Sequence, residues 1–550
     1  MLSCSRSILA SSAVLDYIAA SLAGRHPSRT AKPVDMPKTP SAKLFHLIKS
    51  LSGPEKRYFK VFTGKQEGKD SKYLLLFDAI EAQEAFDEEA LKLQVYGGQP
   101  IHSRKYSELK AYLYELVVES LQAYDEKSSA DHRLKGLLRG VRALFQRALF
   151  DDCRERLARA KKLAEKYEHY TSLLEILSWE KHLAYTEADI GYLDQELARI
   201  AAAEEEALGK LRNIMAYRNL FFRLLASLRK DASLRGAAFE SRLRSLIDTP
   251  LLQDYRQVDS HQARVLFRRI MALYYYASSD LERFYQESKT LIALIESQPH
   301  LLEEDISEYI SALSNFIRSC GEMKKLDEME RNLEKLYRLR PKSKDDELKI
   351  HRQYYQAKFM LCVTKGEFEQ GLEALDEHLR EKQRFSANLF ETQTFYYSYF
   401  YICFGAGRYD QALAFLNQWL SLPHTVERQD LQSAARILNL IVHYELGNHV
   451  LLESLLRSTY RFLKKRDKLH EVEKKVMLFI RKAAEAPSRR ELAEAYEALR
   501  EEFADLTQQP LTKTFFTKAF DIMAWLESKI AGKPFAEMVQ RKFAEQYPGS

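Results

Sequence analysis

The chain has 550 residues, 46% hydrophobic and 29% charged, with only 19 glycines and 14 prolines. Such a composition excludes a disordered or collagen-like chain, and the length exceeds what one core accommodates, so several domains or a repeat array are expected. Residues 1–70 hold 12 Lys/Arg against 5 Asp/Glu and the remainder 72 against 73; a neutral body with a basic N-terminus argues against an extended nucleic-acid-binding surface.

Residues 1–40 read unlike the rest. The stretch "MLSCSRSILASSAVLDYIAASLAG" is rich in Ser and Ala and its apolar run is broken by Asp16, which fits neither the apolar centre of a secretory signal nor a membrane span. Arg6, Arg25 and Arg29, the only Lys or Arg residues before Lys32, are compatible with a transit peptide. The preferred expectation is a disordered or mis-assigned extension, with Met36 as the start of a cytoplasmic protein.

Residues 41–130 are expected to form an N-terminal helical domain. Ser52, Pro54 and Glu55 make a capping box, and helices are predicted at about 72–85, 87–96 and 103–124. The loop Gly97-Gly98-Gln99-Pro100 and the basic charge raise a helix-turn-helix alternative, in which residues 41–125 bind DNA through Arg104, Lys105 and Lys110. The favoured reading is a capping bundle whose long helix buries Tyr112, Leu113, Leu116, Val117 and Leu121.

Over residues 131–485 the sequence repeats. Turns are expected at Phe150-Asp151-Asp152, Ala188-Asp189-Ile190, near Lys230-Asp231, then at Ser279-Asp280, Gly321-Glu322, Gly366-Glu367, Gly407-Arg408 and Gly447-Asn448. The spacing of about 40–50 residues allows two helices of some 15 residues each. Apolar residues recur at steps of three and four, as in Tyr409, Ala412, Leu413, Leu416 and Leu420, and almost nothing alternates with period two. Gly407 is placed to end one helix in the left-handed conformation, Tyr409 to pack the start of the next, and Ala412 to let two helices approach; Gly366, Phe368 and Gly371 have the same parts one repeat earlier.

Gly-x-[Tyr/Phe]-x-x-[Ala/Gly], with Pro423 after the second helix, resembles the tetratricopeptide repeat over residues 352–424, and the N-terminal region is similar to uncharacterised proteins of the Bacteroidota. The resemblance implies an all-α solenoid of antiparallel helix pairs that binds a peptide or helical segment of another protein in its concave groove. In that register Tyr355 and Tyr396 match a packing position. Ser311, Asn315, Gln353, Gln356, Thr394, Tyr397 and Tyr401 then line the groove.

Residues 486–550 are expected to be capping helices, with Ser488 and Glu491 as a capping box and Gly532 and Pro534 as a helix stop. Catalytic patterns are missing from the sequence: no phosphate-binding glycine loop, no H-E-x-x-H, no G-x-S-x-G. The five cysteines, Cys4, Cys153, Cys320, Cys362 and Cys403, form no short metal-ligand spacing and are expected to be reduced and buried. The expectation is therefore a non-enzymatic scaffold without cofactor or metal and without membrane contact.

Overall fold

The computed structural model describes residues 42–64, 71–98, 103–125, 129–187, 190–230, 237–386, 389–422, 429–465, 471–485, 488–507 and 520–547. The expected extension over 1–40, the turns at Ala188-Asp189 and Asp231, Cys4 and Pro423 lie outside these residues. Among those described, 86% are helical, none is in a strand, and 26 α-helices pack in adjacent pairs. No described helix is long and apolar enough to cross a membrane. The chain divides into two compact units, one within residues 26–212 and the other within 213–550.

The first unit opens with α1 (Lys43–Ser50), α2 (Gly53–Gly64), α3 (Lys72–Ala82), α4 (Glu88–Tyr96) and α5 (Ser103–Asp125), followed by α6 (Ala130–Phe145), α7 (Phe150–Lys166) and α8 (Tyr170–Thr186). The Ser52 box forms: the Ser52 N–H donates to Glu55 Oε2 at 2.6 Å and the Glu55 N–H to Ser52 Oγ at 3.4 Å. Leu113, Leu116 and Val117 of α5 are buried with Ile48, Phe59, Leu76 and Phe77, whereas Tyr112 is 53% exposed. Its ring instead meets the edge of Tyr73 at 5.7 Å. One step along the helix turns a side chain by about 100°, enough to take Tyr112 off the stripe that Leu113 occupies.

The boundary between units falls within α9 (Ile190–Lys230), a single helix of 41 residues. A pair of helices was expected there; Gly209 mid-way costs only about 1 kcal/mol and does not break it. The second unit continues with α10 (Ala237–Ile247), α11 (Pro250–Gln253), α12 (His261–Ala277), α13 (Leu281–Glu296), α14 (Pro299–Glu304), α15 (Ile306–Glu322), α16 (Leu326–Tyr337), α17 (Lys344–Lys365) and α18 (Phe368–Glu381). It closes with α19 (Gln393–Gly405), α20 (Tyr409–Ser421), α21 (Gln429–Glu445), α22 (His449–Lys465), α23 (Glu471–Glu485), α24 (Arg489–Thr507), α25 (Ile522–Ala531) and α26 (Phe535–Gln546).

One turn design recurs. Ala148, Glu168, Ser279, Lys324, Gly366, Gly407 and Gly447 all have positive φ, between 53° and 75°, and in each case the next helix begins two residues on. The residue after each donates its N–H to a carbonyl five positions back, for example Lys325 to Cys320 at 2.8 Å, Glu367 to Cys362 at 2.9 Å and Arg408 to Cys403 at 2.8 Å. This is the Schellman closure of a helix end. The last five of these turns follow one another at 45, 42, 41 and 40 residues, so Cys320, Cys362 and Cys403 occupy one position of a repeat. The turn expected at Gly321-Glu322 lies three residues later, at Lys324. Gly321 is still helical, and a Cβ there would come within 3.3 Å of Met329 Sδ, so the small residue serves close packing and not a turn.

Helices within a pair pack together, and α13, α15, α17 and α19 also pack in series, each on the next odd-numbered helix. Polar bonds join residues one repeat apart: Lys289 to Glu328 at 3.1 Å, Arg269 to Glu308, Lys335 to Glu296 and Lys349 to Ser307. Around α17–α20 the interior is aromatic, with Phe359, Phe395, Phe404 and Trp419 inaccessible to solvent. Each such burial contributes roughly 1.5–3 kcal/mol. A Cβ on Gly371 would crowd Ile402 at 3.1 Å, and one on Gly405 would overlap the Phe368 ring, so Gly405 requires the missing side chain. The last helix, α26, returns to α17: Gln540 Nε2 donates to the Gly366 carbonyl at 3.0 Å, and Phe535 packs on Phe368, Tyr401 and Phe404.

Candidate ligand groove

The residues expected to line a groove lie on α15 (Ser311, Asn315), α17 (Gln353, Gln356) and α19 (Thr394, Tyr397, Tyr401), three helices packed in series. Three of them are buried: Ser311, whose hydroxyl donates to the Ser307 carbonyl at 3.0 Å, Gln353 and Tyr401. Tyr401 Oη accepts the Asp521 N–H at 3.2 Å and its ring lies against Phe520 at 5.8 Å, so the chain's own C-terminal segment covers it. Asn315, Gln356, Thr394 and Tyr397 are half-buried. The Tyr397 ring lies edge-on to Trp419 at 5.9 Å, and burial holds its hydroxyl well above the usual tyrosine range.

Buried polar atoms without a hydrogen-bond partner occur on α17, α19, α20 and α21. Both side-chain atoms of Gln356 and of Gln432 are in this state, as are Gln393 Oε1, Asn439 Oδ1 and Trp419 Nε1. Each such group costs about 1–3 kcal/mol. On α15 the stripe Ser311, Asn315, Arg318, Glu322 advances by steps of four, three and four. Burial pushes the Glu322 carboxyl up to about 7, with Arg318 drawing it down, so near neutral pH it exchanges a proton readily.

A second polar array was not foreseen from the sequence. His351 Nε2 and His378 Nδ1 are 3.0 Å apart, His378 Nε2 is 2.5 Å from Tyr399 Oη, and His351 Nδ1 is 3.3 Å from Glu381 Oε2. Tyr355, Phe359, Phe385, Phe390 and Phe395 surround the rings. Burial, aided by Arg384, draws His351 down to about 4; burial, aided by His351 and Lys382, draws His378 down to about 3. Both imidazoles are therefore neutral at pH 7. One tautomer set satisfies every atom: Tyr399 O–H donates to His378, His378 Nδ1–H to His351, and His351 Nδ1–H to Glu381. The array joins α17, α18 and α19 as a polar clamp. Intervals of 27 and 21 residues give no local spacing by which a sequence could announce it.

Among the described residues no group of three or more His, Cys, Asp or Glu could hold a metal ion. The four cysteines there are buried and free, and burial lifts Cys320 and Cys403 to about 12 and Cys362 to about 11, far from the thiolate a nucleophile needs. Of the residues considered for DNA contact, Arg104 and Lys105 are exposed, but Lys110 is ion-paired to Glu88 and its ammonium lies 4.9 Å from the Tyr106 ring centre. No protein-family model matches the chain, and no curated protein matches it.

Proposed function

We propose that the helix pairs of residues 131–485 form a tetratricopeptide-like solenoid. It acts as a non-enzymatic, cytoplasmic scaffold that binds an extended or helical segment of another protein. The observation that carries this reading is the half-buried polar row Asn315, Gln356, Thr394 and Tyr397 on α15, α17 and α19, three helices packed in series. Side-chain amides and hydroxyls donate and accept at once, as a peptide backbone does, and a peptide laid along the row would hydrogen-bond to them.

The test compares proteins captured by the native chain and by the double variant Asn315→Ala/Gln356→Ala, with Tyr397→Ala beside it. Loss of specific partners with unchanged helicity supports the groove. Identical partners at identical affinity would remove it.

A further inference from the structure

We infer that α9 is the seat of a symmetric, antiparallel self-association, in which the same face of a second copy covers its apolar stripe. Leu197, Leu208, Met215 and Phe222 are 40–50% exposed, and at about 100° per residue they fall within a strip roughly 40° wide. Four large apolar side chains aligned along one helix are the seam of a helix pair. Along one border of this strip stand Asp194, Glu205, Arg212 and Arg223, all exposed. No ion pair or hydrogen bond to another described residue engages any of the four.

Their order fixes the partner. Acids occupy the N-terminal half of the border and bases the C-terminal half. In a parallel pair Asp194 would meet Asp194 and Arg223 would meet Arg223. In an antiparallel pair with its dyad between Leu208 and Gly209, facing residue numbers sum to 417. Asp194 then faces Arg223 of the second copy, and Glu205 faces Arg212. A dyad perpendicular to the plane of the two helices keeps this border on one side, so all four charges are matched at once. The same register sets Met215 beside Ala201, large against small. One registration matches all four charges, which is what an isologous interface requires.

Sedimentation of the full chain at about 100 µM, in roughly 50 and 500 mM salt, tests this. A pair of helices is a small interface, so a dissociation constant in the micromolar range is expected, weakened at high salt by screening. Leu208→Glu is expected to be monomeric with native helicity, since its side chain is exposed. Glu205→Arg should weaken the dimer at least tenfold, and Glu205→Arg/Arg212→Glu should restore it to within about threefold. A native chain monomeric at 100 µM, or a dimer indifferent to Leu208→Glu, overturns the proposal. A double variant as weak as the single one overturns the antiparallel register.

Discussion

The stretch α12–α16 and the stretch α17–α20 are built on the same turn around apolar cores of different make-up, mainly aliphatic in the first and mainly aromatic in the second. At Ser279 and Lys324 an ordinary residue adopts the left-handed conformation, and the helices are tied at their rims by Lys289–Glu328, Lys335–Glu296 and Tyr309–Glu296. At Gly366 and Gly407 glycine takes that place, and the interior holds His351, His378 and Tyr399 inside a shell of phenylalanines. Backbone hydrogen bonding makes the repeat; side chains decide how much each repeat can tolerate. Exposed ion pairs are worth about 0–1 kcal/mol each, whereas a close-packed aromatic core loses several kcal/mol from one misplaced atom.

The sharpest break should come at Gly405→Ala, which drives a methyl group into Phe368. Urea unfolding is expected to show a loss of about 3 kcal/mol, and a loss below about 1 kcal/mol would mean that the ring has room to move. Gly366→Ala should cost about 2–3 kcal/mol, because a Cβ there meets Gln540 N at 3.0 Å and the Ala536 carbonyl at 3.2 Å in addition to the backbone penalty. Gly407→Ala, with open space around it, should cost only about 1–2 kcal/mol. Equal costs would dissolve the distinction.

Acid offers a second probe of the same contrast. The folded chain lowers the affinity of His351 and His378 for protons, so the unfolded chain binds more protons below the ordinary histidine value. Stability that is full above about 6.5 is lost as the pH falls towards about 4. In His378→Phe/Tyr399→Phe the unfolding midpoint should fall less steeply across that window. A slope unchanged from the native chain would show that the pair does not govern it. The smallest effect is expected at the rim: Ser279→Gly removes left-handed strain and should gain about 0.5 kcal/mol, after the entropy that glycine adds to the unfolded chain. A net loss would mean that the serine contributes a contact.

Sequence made this contrast only half visible. The turns at Gly366, Gly407 and Gly447 could be read because glycine marks them, and Ser279-Asp280 because Asp280 caps the following helix. The turns at Ala148, Glu168 and Lys324 carry no such mark, since their conformation is imposed by the helices on either side. Gly321 misled because a glycine inside a helix serves packing as readily as a turn. The helical class and the packing of Phe368, Ala412 and Leu416 were legible in apolar spacing. Of the groove residues, helix membership was legible, but the burial of Tyr401 was not, as it depends on Phe520 and Phe535 more than a hundred residues away. The histidine clamp was illegible for the same reason.

That distance has a consequence for synthesis. Phe368, Tyr401 and Phe404 leave the ribosome long before Phe535, which covers them in the finished protein. At 5–20 residues per second the interval is on the order of ten seconds. A half-made chain thus displays an oily aromatic surface until Phe520 and Phe535 arrive to cover it, and truncation before α26 should turn the product into a client of chaperones.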